Sequence, residues 1–303
     1  MEEVFAGLIN NGVLVYIDDI LIYAKSVEEH LYLLEQVMIR CLRYNLWIKG
    51  SKSHICRSEL NYLGFRLQQN GVHVQPDKVE GIRAMPNPSP SCAHLHTFLG
   101  MVSFYNRHIP GCAVLMAPLF DLMTEYRSAL KGKGRKPVKH KDRKDPPPRV
   151  DPQWRDMWKD VHTESVDRLK SAVMNAALLA HPDYKKPFIL YTDASTVGLG
   201  AALHQEQDDG LEAPLAYYSK KLVGAARRYP PIELEANAVL FGLEKCRPLT
   251  RGCTIVVKTD HRPLQYIANI EHHTNPRLER WATQWKSCIL SSRKYSAACG
   301  CLI

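Results

Sequence analysis

The sequence predicts a mixed α/β (α+β) chain in which sheets and helices follow one another in blocks. Three observations carry that prediction. Two apolar, β-prone hairpins bear aspartates at their ends, Val13-Leu-Val-Tyr-Ile-Asp-Asp-Ile-Leu-Ile-Tyr23 and Phe188-Ile-Leu-Tyr-Thr-Asp-Ala-Ser-Thr-Val-Gly-Leu-Gly-Ala-Ala-Leu203. Between them, apolar residues recur at helical spacing in several stretches. The last third then reads strand, strand, strand, helix, strand, with carboxylates at element ends.

Composition narrows the class. The chain has 303 residues and a net charge of +9, enough for two or three modest domains. Its pI is about 9.0, a basic surplus that points to a polyanionic partner. Met1 opens no signal peptide, and no apolar stretch is long enough to span a bilayer, so no membrane is expected. The nine cysteines contain no C-x-x-C pair, which argues against a zinc ribbon or a disulfide framework. His94-Leu-His96, His272-His273 and Cys299-Gly-Cys301 stand without partners at metal spacing. A reducing intracellular setting, cytoplasm or nucleus, is expected.

Taken in order, the chain opens with a short helical pattern through Phe5, Leu8 and Ile9. The first hairpin follows, read as buried with Asp18 and Asp19 at its tip. Burying two adjacent carboxylates without a partner is expensive, and neighbouring strand side chains point to opposite faces. One of the pair facing a metal at the turn and a solvated turn pair both satisfy those constraints. Glu28 to Leu46 reads as a helix through Leu31, Leu34, Val37, Met38 and Leu42. Asn61 to Leu67 reads as a strand, with Asn70-Gly71 as a hairpin turn to Val72 and Val74. Pro76 starts a helix that Pro86, Pro88 and Pro90 stop. A further helix over about Cys92 to Arg107 carries Leu95, Phe98, Leu99 and Val102 on one face.

Tyr126 to Arg149 lacks any apolar face. Lys131, Lys133, Arg135, Lys136, Lys139, Lys141, Arg143 and Lys144 crowd among Gly132, Gly134 and Pro146-Pro-Pro148. Phosphate tracking, a nuclear import signal and a plain solvated tether are all compatible with it. Asp151 to Leu179 resumes with Trp154, Trp158 and a helix through Val166, Leu169 and Val173.

Beyond Pro182 the carboxylates accumulate. Asp193 ends a strand, where it either caps the turn or holds a hard cation such as Mg²⁺. Leu215 to Ser219 reads as a third strand. Tyr229-Pro-Pro-Ile-Glu-Leu-Glu-Ala-Asn-Ala-Val becomes a helix with a stripe of Ala236, Val239, Leu240 and Leu243. Glu235 lies at the edge of that stripe, with Glu233 as its competitor. Thr254 to Asp260 is a strand that again finishes on a carboxylate. Two strand-end aspartates and a helix-start glutamate suit a two-cation site for phosphodiester hydrolysis. Arg277, Arg280 and Lys286 alternate with Trp281 and Trp285. These residues read either as phosphate and stacking contacts or as a basic helix that packs its tryptophans inward.

Tyr16-Ile-Asp-Asp19, Tyr62-Leu-Gly64, Phe98-Leu-Gly-Met-Val-Ser-Phe-Tyr-Asn-Arg-His-Ile-Pro110 and Ala117-Pro-Leu119 resemble reverse transcriptases of gypsy-type LTR retrotransposons and retroviruses. Thr-Asp-Ala-Ser, Glu-x-x-Ala-Val and Thr-Asp-His resemble the ribonuclease H domain of the same retroelement polyproteins. The resemblance implies a partial palm over 1–76, thumb or connection helices over 77–125, a basic linker over 126–150 and a connecting helix over 151–181. A ribonuclease H-like domain with a mixed five-stranded sheet is implied over 182–303. Implied metal ligands are Asp193, Glu235 and Asp260 for the nuclease, and Asp18 and Asp19 for the polymerase, with Mg²⁺ or Mn²⁺ in a two-metal arrangement. Tyr16, Leu63 and Gly64 would join Arg277, Arg280 and Lys286 in touching nucleic acid. An RNA–DNA hybrid is the implied partner, told from DNA by its 2′-hydroxyls.

Two departures set the expected activity. The family places another metal-binding aspartate upstream of the Tyr-x-Asp-Asp hairpin, and the residues before Val13 supply none. Nucleotide addition would therefore need a partner chain that completes the palm. The family nuclease closes on an Ala-Asp-x-Leu-Ser-Arg-like segment with a fourth carboxylate, whereas no acidic residue follows Glu279 here. A C-terminally truncated nuclease is expected, with weakened cleavage and surviving hybrid binding. The alternative is an inactive nucleic-acid-binding remnant.

Overall fold

The computed structural model describes residues 1–89, 91–132, 152–260, 264, 277–281, 283 and 295–299. It divides into two units, Met1–Leu60 and Asn61–Ile303.

In the first unit, β1 (Val13–Tyr16) and β2 (Asp19–Ile22) form an antiparallel hairpin with Tyr16 opposite Asp19. Helix α1 (Val27–Arg43) starts at Ser26, whose Oγ accepts the Glu29 N–H at 3.2 Å. The buried core is Phe5, Val13, Leu33, Val37 and Cys41. Three expectations change. Phe5 is fully buried, but its segment is a series of turns rather than a helix. The hairpin is covered on one face only, so the strand alternation leaves Leu14 and Tyr16 exposed. α1 buries the Leu33, Val37, Cys41 stripe, while Leu31, Met38 and Leu42 face outward. The helix carries two apolar stripes, and a two-stranded hairpin covers just one.

The second unit has two cores. β3 (Leu60–Tyr62), β4 (Phe65–Gln68) and β5 (Gly71–Val74) make a three-stranded sheet. Helices α2 (Pro76–Ala84), α3 (Cys92–Phe104), α4 (Cys112–Leu115), α5 (Ala117–Gly132), α6 (Pro152–Met157) and α7 (Asp160–Met174) pack around Leu95, Phe98, Leu99, Val102, Trp154 and Leu169. The stripe expected of α3 is buried in full. Helix α5 runs through Gly132, into the stretch read as linker, because Tyr126 packs edge-on against Trp154. Residues 133–151 lie outside the described residues.

The β4–β5 turn falls one residue earlier than expected, with Gln68 opposite Gly71. Gly71 serves a close approach instead. Val72 N–H donates to Leu179 O at 2.7 Å, and a Cβ on residue 71 would stand 2.2 Å from that same oxygen.

The second core belongs to a five-stranded mixed sheet in the order β10-β9-β6-β7-β8. Its strands are β6 (Phe188–Ala194), β7 (Gly198–Glu206), β8 (Glu212–Lys221), β9 (Ile255–Thr259) and β10 (Tyr295–Cys299). β6, β7 and β8 are antiparallel neighbours, whereas β9 and β10 join in parallel. Helix α8 (Pro231–Thr250) crosses from β8 to β9 and lies on β6 and β7. Gly242 lets it seat closely, since a Cβ there would meet Leu190, Thr192 and Ala201 at 3.1–3.2 Å. The expected stripe of α8 is buried, and Leu234, Ala238, Phe241 and Cys246 are buried with it. The chain after Glu279 does supply a strand: β10 pairs residue by residue with β9.

Candidate active site

The site is made by strand direction. β6 and β9 run parallel with Tyr191 opposite Lys258. Carried two residues further, that register brings Asp193 and Asp260 to the same end of the sheet. Both are exposed. Asp193 is not the turn cap. Ser195 takes that part, its Oγ accepting the N–H groups of Gly198 at 3.1 Å and Val197 at 3.3 Å.

The third carboxylate arrives on α8. Glu235 is half-buried, and its carboxylate accepts the backbone N–H of Ala194. Burial, then Asp260, then Asp193 push its carboxyl up to about 7. Its Oε2 is buried without a hydrogen-bond partner. The three acidic groups expected of the nuclease thus share one electrostatic field. Among the described residues, no three His, Cys, Asp or Glu side chains close round a single point as a metal cage. The set is an open, all-oxygen one that suits a hard divalent cation completing its shell with water or substrate oxygens. The orphaned Glu235 oxygen and the mutual repulsion of the carboxylates both fit such an ion.

Glu233, the competing glutamate, points elsewhere. It is 5% exposed and accepts a hydrogen bond from Nη1 of Arg277 in an ion pair. The Arg277 guanidinium also lies 4.0 Å from the ring centre of Tyr229. Trp281 packs inward against the sheet core beside Leu278, the arrangement expected of a basic helix with inward tryptophans. Arg280 is exposed. Lys286 and Trp285 lie outside the described residues.

The remaining expected residues are spread over the two units. Asp18 and Asp19 are exposed at the β1–β2 tip, next to Ile17 in left-handed backbone and the exposed Tyr16. Leu63 and Gly64 form the β3–β4 turn with positive φ at both positions. A Cβ on Gly64 would stand 3.2 Å from the Tyr105 hydroxyl and 3.3 Å from the Phe104 ring.

Sequence reasoning missed a polar network on the sheet face away from α8. Lys258 Nζ donates to the Tyr191 hydroxyl at 2.9 Å and to Glu212 at 2.8 Å, and Tyr191 donates to Glu212 at 2.7 Å. The His204 ring meets Tyr191 edge-on, and burial holds its imidazole below the usual value. The two-residue strand period placed Tyr191 and Lys258 on that face, but partner strands cannot be read from period alone.

Sheet order, crossing helix and converging carboxylates define a ribonuclease H-like domain, and comparisons with known proteins agree. The family of RNase H-like domains found in reverse transcriptase matches residues 183–287, and the reverse transcriptase (RNA-dependent DNA polymerase) family matches residues 1–67. The chain is 31% identical over 282 residues to the retrovirus-related Pol polyprotein from transposon opus of Drosophila melanogaster, covering 93% of this chain and 26% of the relative. It is 28% identical over 284 residues to the Pol polyprotein from transposon gypsy of the same fly, covering 93% and 25%. A Schizosaccharomyces pombe relative, the transposon Tf2-3 polyprotein, is 28% identical over 272 residues, covering 89% and 18%. The chain therefore spans about a quarter or less of the length of these curated relatives. Among solved structures, the foamy viral protease-reverse transcriptase in complex with dsDNA shares the fold at TM-score 0.75 and 21% identity, covering 100% of this chain and 57% of that one. The same protein in complex with RNA/DNA hybrid matches at TM-score 0.71 and 20% identity, covering 98% and 36%. The chain belongs to the retroelement Pol family, with a reverse-transcriptase segment followed by an RNase H-like domain.

Proposed function

We propose that Asp193, Glu235 and Asp260 hold Mg²⁺ or Mn²⁺ and that the chain cleaves the RNA strand of an RNA–DNA hybrid. The observation that carries this reading is Glu235, half-buried in the field of two aspartates with one oxygen left unpaired. Three carboxylates held together repel one another, and a divalent cation offsets that repulsion. When bound, a pair of such ions supplies an activated water and a stabilised leaving oxygen. The chain's own part is positional. Asp193 and Asp260 present oxygens outward from adjacent strand ends, while the Ala194 N–H keeps the Glu235 carboxylate turned toward them.

Hybrid as the ligand class is supported by the foamy viral protein, solved in complex with RNA/DNA hybrid, and by the net charge of +9. The exposed Arg280, the Leu63–Gly64 turn and Lys286 are assigned to its backbone, and the exposed Tyr16 is assigned to nucleic acid at the first hairpin. Nucleotide addition at Asp18 and Asp19 is assigned to a polymerase completed by a partner chain. In the first unit Leu42 is 80% and Trp47 98% exposed, a surface that suits further protein.

The test is cleavage of labelled hybrid in Mg²⁺ or Mn²⁺ by the parent chain and by Asp193→Asn. Removing one ligand should cost about 100- to 1000-fold in rate. Equal cleavage by both proteins would overturn the assignment. A second reading is hybrid binding without cleavage, supported by the net charge of +9. It predicts salt-sensitive binding that survives in Asp193→Asn while neither protein cuts.

A further inference from the structure

The first turn of α8 has no ordinary anchor. Pro230 occupies the cap position, Pro231 opens the helix, and no side chain caps it. Yet this turn must set the rotation of Glu235 against the sheet end. Glu233, in the same turn, is a charged group almost wholly out of water. A buried carboxylate is tolerated only when paired, and its partner Arg277 comes from a segment 44 residues further on. Arg277 is itself bracketed, with its guanidinium over the Tyr229 ring. Tyr229 also packs near Trp281, with ring centres 6.2 Å apart. Tyr229 ahead of the cap, Glu233 in the first turn and the segment 277–281 are therefore tied at one point.

Residues two apart on a helix do not face each other, so Glu233 and Glu235 address different surroundings. Arg277 acts on Glu233, and Glu233 acts on the backbone that carries Glu235. We propose that the Glu233–Arg277 pair is a positioning device that fixes where Glu235 stands relative to Asp193 and Asp260. It assigns Arg277 to the nuclease site rather than to the nucleic-acid backbone. The inference rests on the metal-binding reading of the three carboxylates.

Mn²⁺ binding to the full chain, followed by loss of the free-ion paramagnetic resonance signal, tests it without relying on cleavage. Arg277→Met should weaken Mn²⁺ binding about 10-fold, the scale on which groups behind a metal ligand act. Arg277→Lys, which keeps the charge, should stay within about 3-fold of the parent. Hybrid affinity in a metal chelator should be unchanged in both variants, with the same salt slope. A folded Arg277→Met chain that binds Mn²⁺ like the parent overturns the proposal. So does a drop of about 1 in the salt slope of hybrid binding with normal Mn²⁺ affinity, the mark of a phosphate contact. Thermal unfolding monitors the fold, and if Arg277→Met does not fold, Glu233→Gln is held to the same Mn²⁺ criterion. Should Mn²⁺ binding by the parent be insensitive to Asp193→Asn, the site assignment itself fails and takes this inference with it. Sensitive binding that ignores Arg277 overturns the positioning pair alone.

Discussion

Each unit holds an apolar hairpin that leads to an aspartate, and the two have different fates. In the first unit the β1–β2 hairpin is a two-stranded sheet backed by one helix, and Asp18 and Asp19 stand in solvent. In the second, β6 and β7 lie inside a five-stranded sheet whose core includes Phe188, Leu190, Leu199 and Leu203. Asp193 is exposed as well, but Asp260 arrives on the adjacent strand and Glu235 on the crossing helix. Their effect is read in Glu235, whose carboxyl is pushed up by burial, then by Asp260 and Asp193. A carboxylate acquires the character of a site from the second and third elements that reach it. Its own hairpin supplies only position.

Core substitutions should separate the two regions most. Leu190→Ala removes a fully buried side chain from the sheet core, and urea unfolding should register a loss of about 2–5 kcal/mol. Leu42→Ala on α1 changes a side chain that is 80% exposed and should cost no more than about 0.5 kcal/mol. Comparable losses would mean that the α1 face is buried in solution and that the contrast between the units is false.

A smaller effect attaches to Glu235. Its carboxyl titrates near 7 in the fold, against an ordinary 4.5. Between those values the folded chain holds a proton that the unfolded chain has released. Its stabilising contribution is complete below the lower value and is lost as pH rises through the upper one. The parent should lose about 1–2 kcal/mol relative to Glu235→Gln across that window, a figure reduced from the full shift because the site is open to solvent. Mg²⁺ should cancel the loss in the parent by favouring the ionised carboxylate. A pH-independent difference between the two proteins would remove Glu235 from the field of Asp193 and Asp260.

Much of this was legible in the sequence, for reasons that differ by residue. Leu95, Phe98, Leu99 and Val102 were found because a single apolar stripe leaves one way to pack a helix. On α1 two stripes competed, and only the size of the hairpin decided between them. Asp193, Asp260 and Glu235 were legible as a set, since two strands and a helix start each bring a carboxylate to an element end, as a two-cation site requires. The choice of Glu235 over Glu233 rested on the resemblance, because Glu235 with the following Ala-Asn-Ala-Val fits the Glu-x-x-Ala-Val motif of the nuclease domain. What escaped was pairing across long separations. Nothing local marks Arg277 as the partner of Glu233, or Lys258 as the partner of Glu212. The strand at Tyr295–Cys299 was also missed, because its apolar run is short and follows no turn signal.

The smallest effect concerns the tip of the first hairpin. Ile17 occupies the left-handed region at φ 54 and is 71% exposed. A β-branched residue in that conformation is strained by about 1–2 kcal/mol, and an exposed side chain has few contacts to offset it. At the other hairpin Ser195 caps its turn with hydrogen bonds, so no comparable strain is held beside Asp193. Strain of this kind persists where a geometry is needed for something other than stability, and Ile17 directly precedes Asp18. Ile17→Gly should therefore stabilise the first unit by about 1 kcal/mol, seen as a shift of its urea midpoint with unchanged slope. Ser195→Ala should shift stability the opposite way, by about 0.5–1 kcal/mol, through loss of the turn hydrogen bonds. If Ile17→Gly destabilises instead, the isoleucine is held by contacts in solution, and the tip of the first hairpin is as firmly built as the second.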